Sequence, residues 1–230
     1  TAAKYYLSCS EYYLGGDEPR GVWVAAGGFG AELGRAVEGD LFTHLHAGVD
    51  PTGRPLLTNV GNPIEQVGGY DVTFSAPKSM SVIWGIGDAP LRSQLEGVQS
   101  DAVAAAIRLL EESASFCRRG KGGQQLEKVA LTVAAFQHGE ARPAPHIDGE
   151  TFADCALHTH AVVLNLARRG DGSVGRLDGR PLFAWKMAAC AVYHHALAKG
   201  LRQLGFSVDV TGPSGIFETG GVNPELCHYF

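Results

Sequence analysis

The chain has no apolar run near the roughly 18 to 20 residues that a bilayer-spanning helix needs, and no stretch is laid out like a secretory signal. Membrane insertion and export are therefore not expected, and the sequence reads as a cytoplasmic protein. Cysteine is sparse. The five residues Cys9, Cys117, Cys155, Cys190 and Cys227 are odd in number with no close-set pair, which argues against both a disulfide framework and a thiolate zinc knot. Only Cys155, close to His158, has a claim to metal ligation. Basic residues are outnumbered, 19 Lys and Arg against 24 Asp and Glu for a net charge of −5, and this tells against a protein that grips duplex DNA through a broad basic face. Local basic grooves stay open. Arg118, Arg119 and Lys121, and again Arg168, Arg169, Arg176 and Arg180, form either such a groove or solvated loop ends. No internal repeat is present. What remains, 45% hydrophobic and 19% charged over 230 residues, is the composition of one ordinary globular domain rather than a disordered chain.

The pattern of elements places this domain in the α+β class with a central, mostly antiparallel sheet and helices packed on it. Tyr5–Tyr13 reads as a short helix, followed by a Gly- and Pro-containing loop through Gly34. Residues from Gly39 to Gly69 read as irregular, with turn signals at Asp50-Pro51, Thr52-Gly53 and Gly61-Asn62-Pro63. Tyr70–Phe74 alternates as a strand. Ser75-Ala76-Pro77-Lys78 has the chemistry of a helix start, although Met80–Trp84 also suits a strand. Pro90–Ser113 is a helix by its apolar spacing. Lys128–Phe136 forms one β-branched run ending at His138, and Leu157–Leu166 another. Arg169-Gly170-Asp171-Gly172 is a hairpin turn into Val174–Leu177. A helix begins at Pro181 and stops at Gly205, and Phe206–Val210 and Ile216–Glu218 are short strands.

Chemistry concentrates at His158 and His160. Residues at i and i+2 of a strand share a face, so the two imidazoles stand side by side. Such a pair serves equally as half of a metal site or as hydrogen-bonded surface histidines. Asp71 shares a strand face with Thr73 and Ser75, where it either orients a metal-bound imidazole or is a turn aspartate beside Gly68-Gly69. Tyrosines come in doublets, Tyr5-Tyr6 and Tyr12-Tyr13, and positions i and i+7 place Tyr5 and Tyr12 in one helical row. On local sequence alone, aromatic packing explains such a row better than nucleophilic attack does. A phenol of pKa near 10 needs a neighbouring cation or base to attack a phosphate.

These segments, read with Gly69-Tyr70-Asp71-Val72-Thr73-Phe74-Ser75-Ala76-Pro77-Lys78-Ser79, Leu157-His158-Thr159-His160-Ala161-Val162-Val163-Leu164-Asn165 and Leu177-Asp178-Gly179-Arg180-Pro181-Leu182, resemble the relaxase domain of the conjugative relaxase/helicase family. That family belongs to the histidine-paired (HUH) endonucleases. The resemblance spans nearly the whole chain, residues 1–230. It implies a HUH relaxase-like fold, a domain truncated at both ends, and a helicase region expected beyond residue 230.

It also implies the chemistry. The enzyme would nick single-stranded DNA at a plasmid transfer origin through a 5′-phosphotyrosine intermediate. Tyr5 matches the first nucleophile, Tyr12 or Tyr13 would serve the second transfer, and Tyr6 would pack or touch DNA. Asp71 matches the carboxylate that bonds a ligand histidine and helps deprotonate Tyr5. His158 and His160 match two metal ligands. For the third, Phe136-Gln137-His138-Gly139-Glu140-Ala141-Arg142 fits the family's context except for Ala141 in place of serine. His146 is nearer the usual spacing but lacks that context, so the third ligand is assigned to His138 and Pro143–Phe152 is read as an insertion. Lys78 is a candidate phosphate contact or a solvated lysine, and Arg142 a DNA contact. The implied cofactor is a divalent metal, Mg²⁺ or Mn²⁺ in cells, with Ni²⁺ or Zn²⁺ able to bind in vitro. The implied partners are single-stranded DNA with an origin hairpin, relaxosome accessory proteins and a secretion coupling protein in the bacterial cytoplasm. A rolling-circle replication initiator, a transposase of the same superfamily, and a non-cleaving DNA-binding module are the competing readings.

Overall fold

The computed structural model describes residues 20–57, 67–146 and 148–230. The two tyrosine doublets, the helix expected around them and Cys9 lie outside the described residues. In chain order the principal elements are β1 (Val22–Ala26), α1 (Gly39–His46), β2 (Gly69–Ser75), α2 (Lys78–Ile86), α3 (Ala89–Ala114), β3 (Phe116–Arg119), β4 (Gln125–Lys128) and β5 (Thr132–Glu140). Then come β6 (Ala144–Pro145), β7 (Thr151–Phe152), β8 (Cys155–Leu164), β9 (Ala167–Arg168), β10 (Val174–Gly175), α4 (Gly179–Gln203), β11 (Val208–Val210), β12 (Phe217–Thr219) and α5 (Pro224–Tyr229). Four strands form the main sheet in the order β1-β5-β8-β2. β1 pairs antiparallel with β5, Trp23 opposite Ala134 and Ala25 opposite Val133, with a bulge between.

The two long helices follow their apolar rows. Leu95, Gln99, Ala102, Val103, Ala106, Ile107 and Leu110 of α3 are buried at helical spacing, as are Ala189, Tyr193, Leu197 and Leu201 of α4. Gly205, at φ 92°, ends α4, with the Phe206 amide donating to the Leu201 carbonyl at 3.0 Å. Met80–Trp84 is helical, which settles its two readings in favour of α2. Three other expectations need correction. Residues 39–46 were expected to be irregular but form α1, whose start at Glu38 has no side-chain cap to announce it. β1 lies in the stretch read as loop, its short apolar run hemmed in by glycine. Lys128–Phe136 is not one strand: β4 ends at Lys128, and β5 begins at Thr132 and runs beyond His138 to Glu140. The joint is fixed by Ser115, whose hydroxyl donates to the Val129 carbonyl at 2.7 Å.

The chain divides into two compact units, one of residues up to Val72 with Ile107–Phe136 and His160–Lys186, the other of Thr73–Ala106, Gln137–Thr159 and Met187–Phe230. The core of the first gathers Trp23, Phe42, Leu45, Ala134, Phe136, Val162 and Leu164, with Phe42 and Phe136 meeting edge to face at 5.2 Å. Full burial of such side chains contributes about 1.5–3 kcal/mol each. In the second, α3 and α4 approach where a Cβ on Gly200 would lie 2.6 Å from Val98, and Phe74 packs on Tyr193 at 5.2 Å. The start of α2 is capped from far along the chain: Glu218 accepts from the Ser79 amide at 3.1 Å, while Ser79 Oγ accepts from the Thr219 amide at 2.7 Å. The segment read as an insertion forms the small β6–β7 hairpin.

Candidate functional site

Alternation along β8 buries Leu157, Thr159 and Ala161 and turns His158 and His160 to the opposite side. His138, near the end of β5, is 8% exposed. Its ring stands 5.3 Å from that of His158, centroid to centroid, with a 33° tilt. Two imidazoles on one ion at about 2.1 Å have centroids about 4.5–5.3 Å apart for ligand angles of about 90–110°, so the separation of the pair is that of shared ligation. His158 Nδ1 lies 2.7 Å from the Ala156 carbonyl oxygen, and His160 Nδ1 lies 2.8 Å from Asp71 Oδ2. Both partners can only accept, so each ring donates a proton from Nδ1. An outer acceptor that fixes tautomer and ring direction is what a ligating histidine requires. Among the described residues no three His, Cys, Asp or Glu side chains close round one point as a finished cage. The donor chemistry of His138, His158 and His160 nevertheless fits a metal.

His146 is engaged elsewhere. Its ring lies flat on Phe152, centroids 3.5 Å apart at 2°, and Nε2 is 3.1 Å from Asp154 Oδ1 but off the hydrogen-bond line. The structure thus brings His138 to His158 and leaves His146 on the hairpin. Lys78 is partly buried: its Nζ donates to the Cys155 carbonyl at 3.3 Å and stands 3.9 Å from Asp154. Arg142 is exposed. Burial pushes the Cys155 thiol up, which disfavours the thiolate a metal would need.

Several arginines of the two clusters are paired while still partly exposed. Arg118 pairs with Asp178 at 3.1 Å, Arg119 with Glu127 at 2.7 Å and also with Asp171, and Arg180 with Asp178 at 2.6 Å. Arg168 lies over the Phe29 ring at 5.0 Å.

Behind Thr159 stands a residue that the motif reading passed over. Gln99 Nε2 donates to the Thr159 hydroxyl at 3.1 Å and to the Phe74 carbonyl at 3.0 Å, and its Oε1 accepts from Tyr193 at 2.8 Å. The signal was present, since Gln99 is the polar member of the buried row of α3.

A family model described as TrwC relaxase matches residues 1–230. The chain belongs to the TrwC relaxase family. This relaxase domain is 30% identical over 238 residues to the multifunctional conjugation protein TraI of Escherichia coli strain K12, across 98% of its own length and 13% of TraI. It therefore spans about 13% of the length of that curated relative. Among solved structures it resembles the conjugative relaxase TrwC in a metal-bound complex with OriT DNA, with a TM-score of 0.80 and 26% identity over 98% of this chain and 75% of that one. TrwC complexed with a 27-mer DNA comprising the recognition hairpin and the cleavage site gives a TM-score of 0.78 at 26% identity, covering 98% of this chain and 74% of that one. The α+β architecture expected from the sequence is the relaxase fold.

Proposed function

We propose that this relaxase domain nicks one strand of plasmid DNA at a transfer origin and carries it as a covalent tyrosine adduct. The hydrogen bond from His160 to Asp71 carries this reading, because it holds a histidine in the tautomer a metal requires. Tyr5 attacks the scissile phosphate: its Oη forms the bond to phosphorus as the bond to the 3′ oxygen breaks, leaving a 5′-phosphotyrosine and a free 3′-hydroxyl. Asp71 orients His160 and takes part in removing the Tyr5 proton, which passes in the end to the departing oxygen or to solvent. His138, His158 and His160 would hold a divalent cation. Bound there, it would neutralise charge on the phosphate and position it for in-line attack. Tyr12 or Tyr13 performs the second transfer, and Tyr6 packs or touches DNA. Arg142 is available to a phosphate from the surface, and Lys78 sits near the same stretch with its charge partly offset by Asp154.

The substrate we propose is single-stranded DNA bearing an origin hairpin, met in the bacterial cytoplasm with accessory proteins and a coupling protein. No helix among the described residues is long and apolar enough to cross a membrane. A peptide map after reaction with candidate origin oligonucleotides tests the proposal directly. The adduct is expected on Tyr5, and Tyr5→Phe is expected to abolish it while DNA binding persists, because one hydroxyl is removed and the ring is kept. An adduct at normal yield in Tyr5→Phe gives the first transfer to another tyrosine. No adduct in the parent chain with any oligonucleotide and metal sinks the reading.

A further inference from the structure

Gly139 follows His138 in β5, and a Cβ built on it would lie 2.0 Å from Cη2 of Trp84 and 2.8 Å from Cζ2 and Cζ3. Glycine inside a strand marks a close approach, and here the thing that approaches is an indole ring. That ring is tied at two points. Its Nε1 donates to Glu96 Oε1 at 2.9 Å, and the Arg92 guanidinium stands 5.5 Å from its centre on a cation–π contact. Arg92 is itself held by the carbonyls of Gly85 at 2.6 Å and Gly87 at 2.9 Å. A plate fixed from α2 and α3 therefore bears on the backbone beside His138, and all of these residues lie in the second compact unit. Close-packed interiors transmit such displacements rather than absorb them.

We propose that Trp84 is a positioning residue for His138, setting through Gly139 where that imidazole stands relative to His158. The proposal rests on the reading of His138 as a metal ligand. It assigns Trp84 no contact with DNA or with the reacting phosphate. Its effect on the reaction passes through the ligand geometry alone.

Ni²⁺ titration calorimetry and the visible spectrum of bound Co²⁺ test it on the intact 230-residue chain, in variants whose folding is verified by circular dichroism. Gly139→Ala forces overlap with the indole and is expected to weaken Ni²⁺ binding on the order of tenfold and to alter the Co²⁺ spectrum. Combining it with Trp84→Ala removes the overlap. The double variant is therefore expected to bind Ni²⁺ more tightly than Gly139→Ala but less tightly than the parent, because the overlap and the positioning ring are lost together, a non-additivity that a general loss of stability does not produce. Ni²⁺ affinity and Co²⁺ spectrum unchanged in Gly139→Ala overturn the proposal. If Gly139→Ala does not fold, Trp84→Phe decides: it keeps a ring but drops the bond to Glu96, so a several-fold weakening supports the proposal and parent-like binding overturns it. His138→Ala separates the two layers of argument. Normal Ni²⁺ binding in that variant overturns the ligand reading and the positioning with it, whereas loss there beside normal binding in Gly139→Ala overturns the positioning alone.

Discussion

Thr159 sits between the two histidines in sequence and behind them in space, and a glutamine holds it there. Gln99 is fully buried and joins Thr159, the Phe74 carbonyl and Tyr193 through one amide. Burial pushes the Tyr193 phenol far up, so it remains a neutral donor at working pH. Gln99→Leu keeps the volume and strands three polar partners, so it is expected to cost about 2–4 kcal/mol, measured by urea unfolding. A loss below about 1 kcal/mol would mean that water or neighbours satisfy those groups. The sequence displayed this residue only as an exception within an apolar row. Which groups it would meet was not legible, because Phe74, Thr159 and Tyr193 reach it from three other elements.

At the scale of elements, residues 143–152, read as an insertion, contain the β6–β7 hairpin. It is closed by the His146 amide donating to the Glu150 carbonyl at 2.8 Å and turned at Gly149, whose φ is 87°. Aromatic residues of α5 and the chain just after it brace the hairpin. Tyr229 and Phe230 each stand 6.2 Å from Phe152, and the Tyr229 hydroxyl donates to Asp148 at 2.5 Å. His146→Ala should therefore cost about 0.5–1.5 kcal/mol of stability through the lost stack, while Ni²⁺ affinity stays near that of the parent. His138→Ala should do the reverse. A severe metal defect in His146→Ala beside a mild one in His138→Ala would exchange their roles. Long periodic elements such as α3, α4 and β8 were legible because their own sequence repeats the pattern. α1, β1 and α5 were not: each is short, and their order comes from neighbours such as Phe136 for Phe42 and Phe152 for Tyr229.

For the molecule as a whole, paired charges join residues far apart in the sequence. The net charge of −5 was legible as an argument against a broad DNA-gripping face. The partners of the arginines were not, since Arg118 and Asp178 are 60 residues apart and Arg119 and Asp171 are 52 apart. Asp178 is the hub. Hydrogen bonds from Arg180, then from Arg118, hold its carboxyl far below the usual range despite burial. A depressed folded-state pKa gives stability that is present above the unfolded value of 3.8 and lost as pH falls from there toward the folded value. Asp178→Asn should thus cost about 2 kcal/mol at pH 7, discounted because both arginines are partly exposed. The gap to the parent should narrow steadily below about pH 4. Parallel denaturation curves across that range would detect it, and a pH-independent gap would assign the effect to packing instead.

The capping of α2 by Glu218 has a consequence for how the molecule is made. The helix begins in the Ser75–Ser79 motif, yet the carboxylate that satisfies its Ser79 amide lies 139 residues later. During synthesis from the N-terminus, the histidine strands leave the ribosome well before Glu218 does. The motif therefore waits, uncapped, until nearly all of the domain has emerged. Closing so long a loop costs chain entropy that only late, non-local contacts return. Nascent chains halted before Glu218 would hold every histidine proposed for the site and still lack the tie that completes the helix beside it.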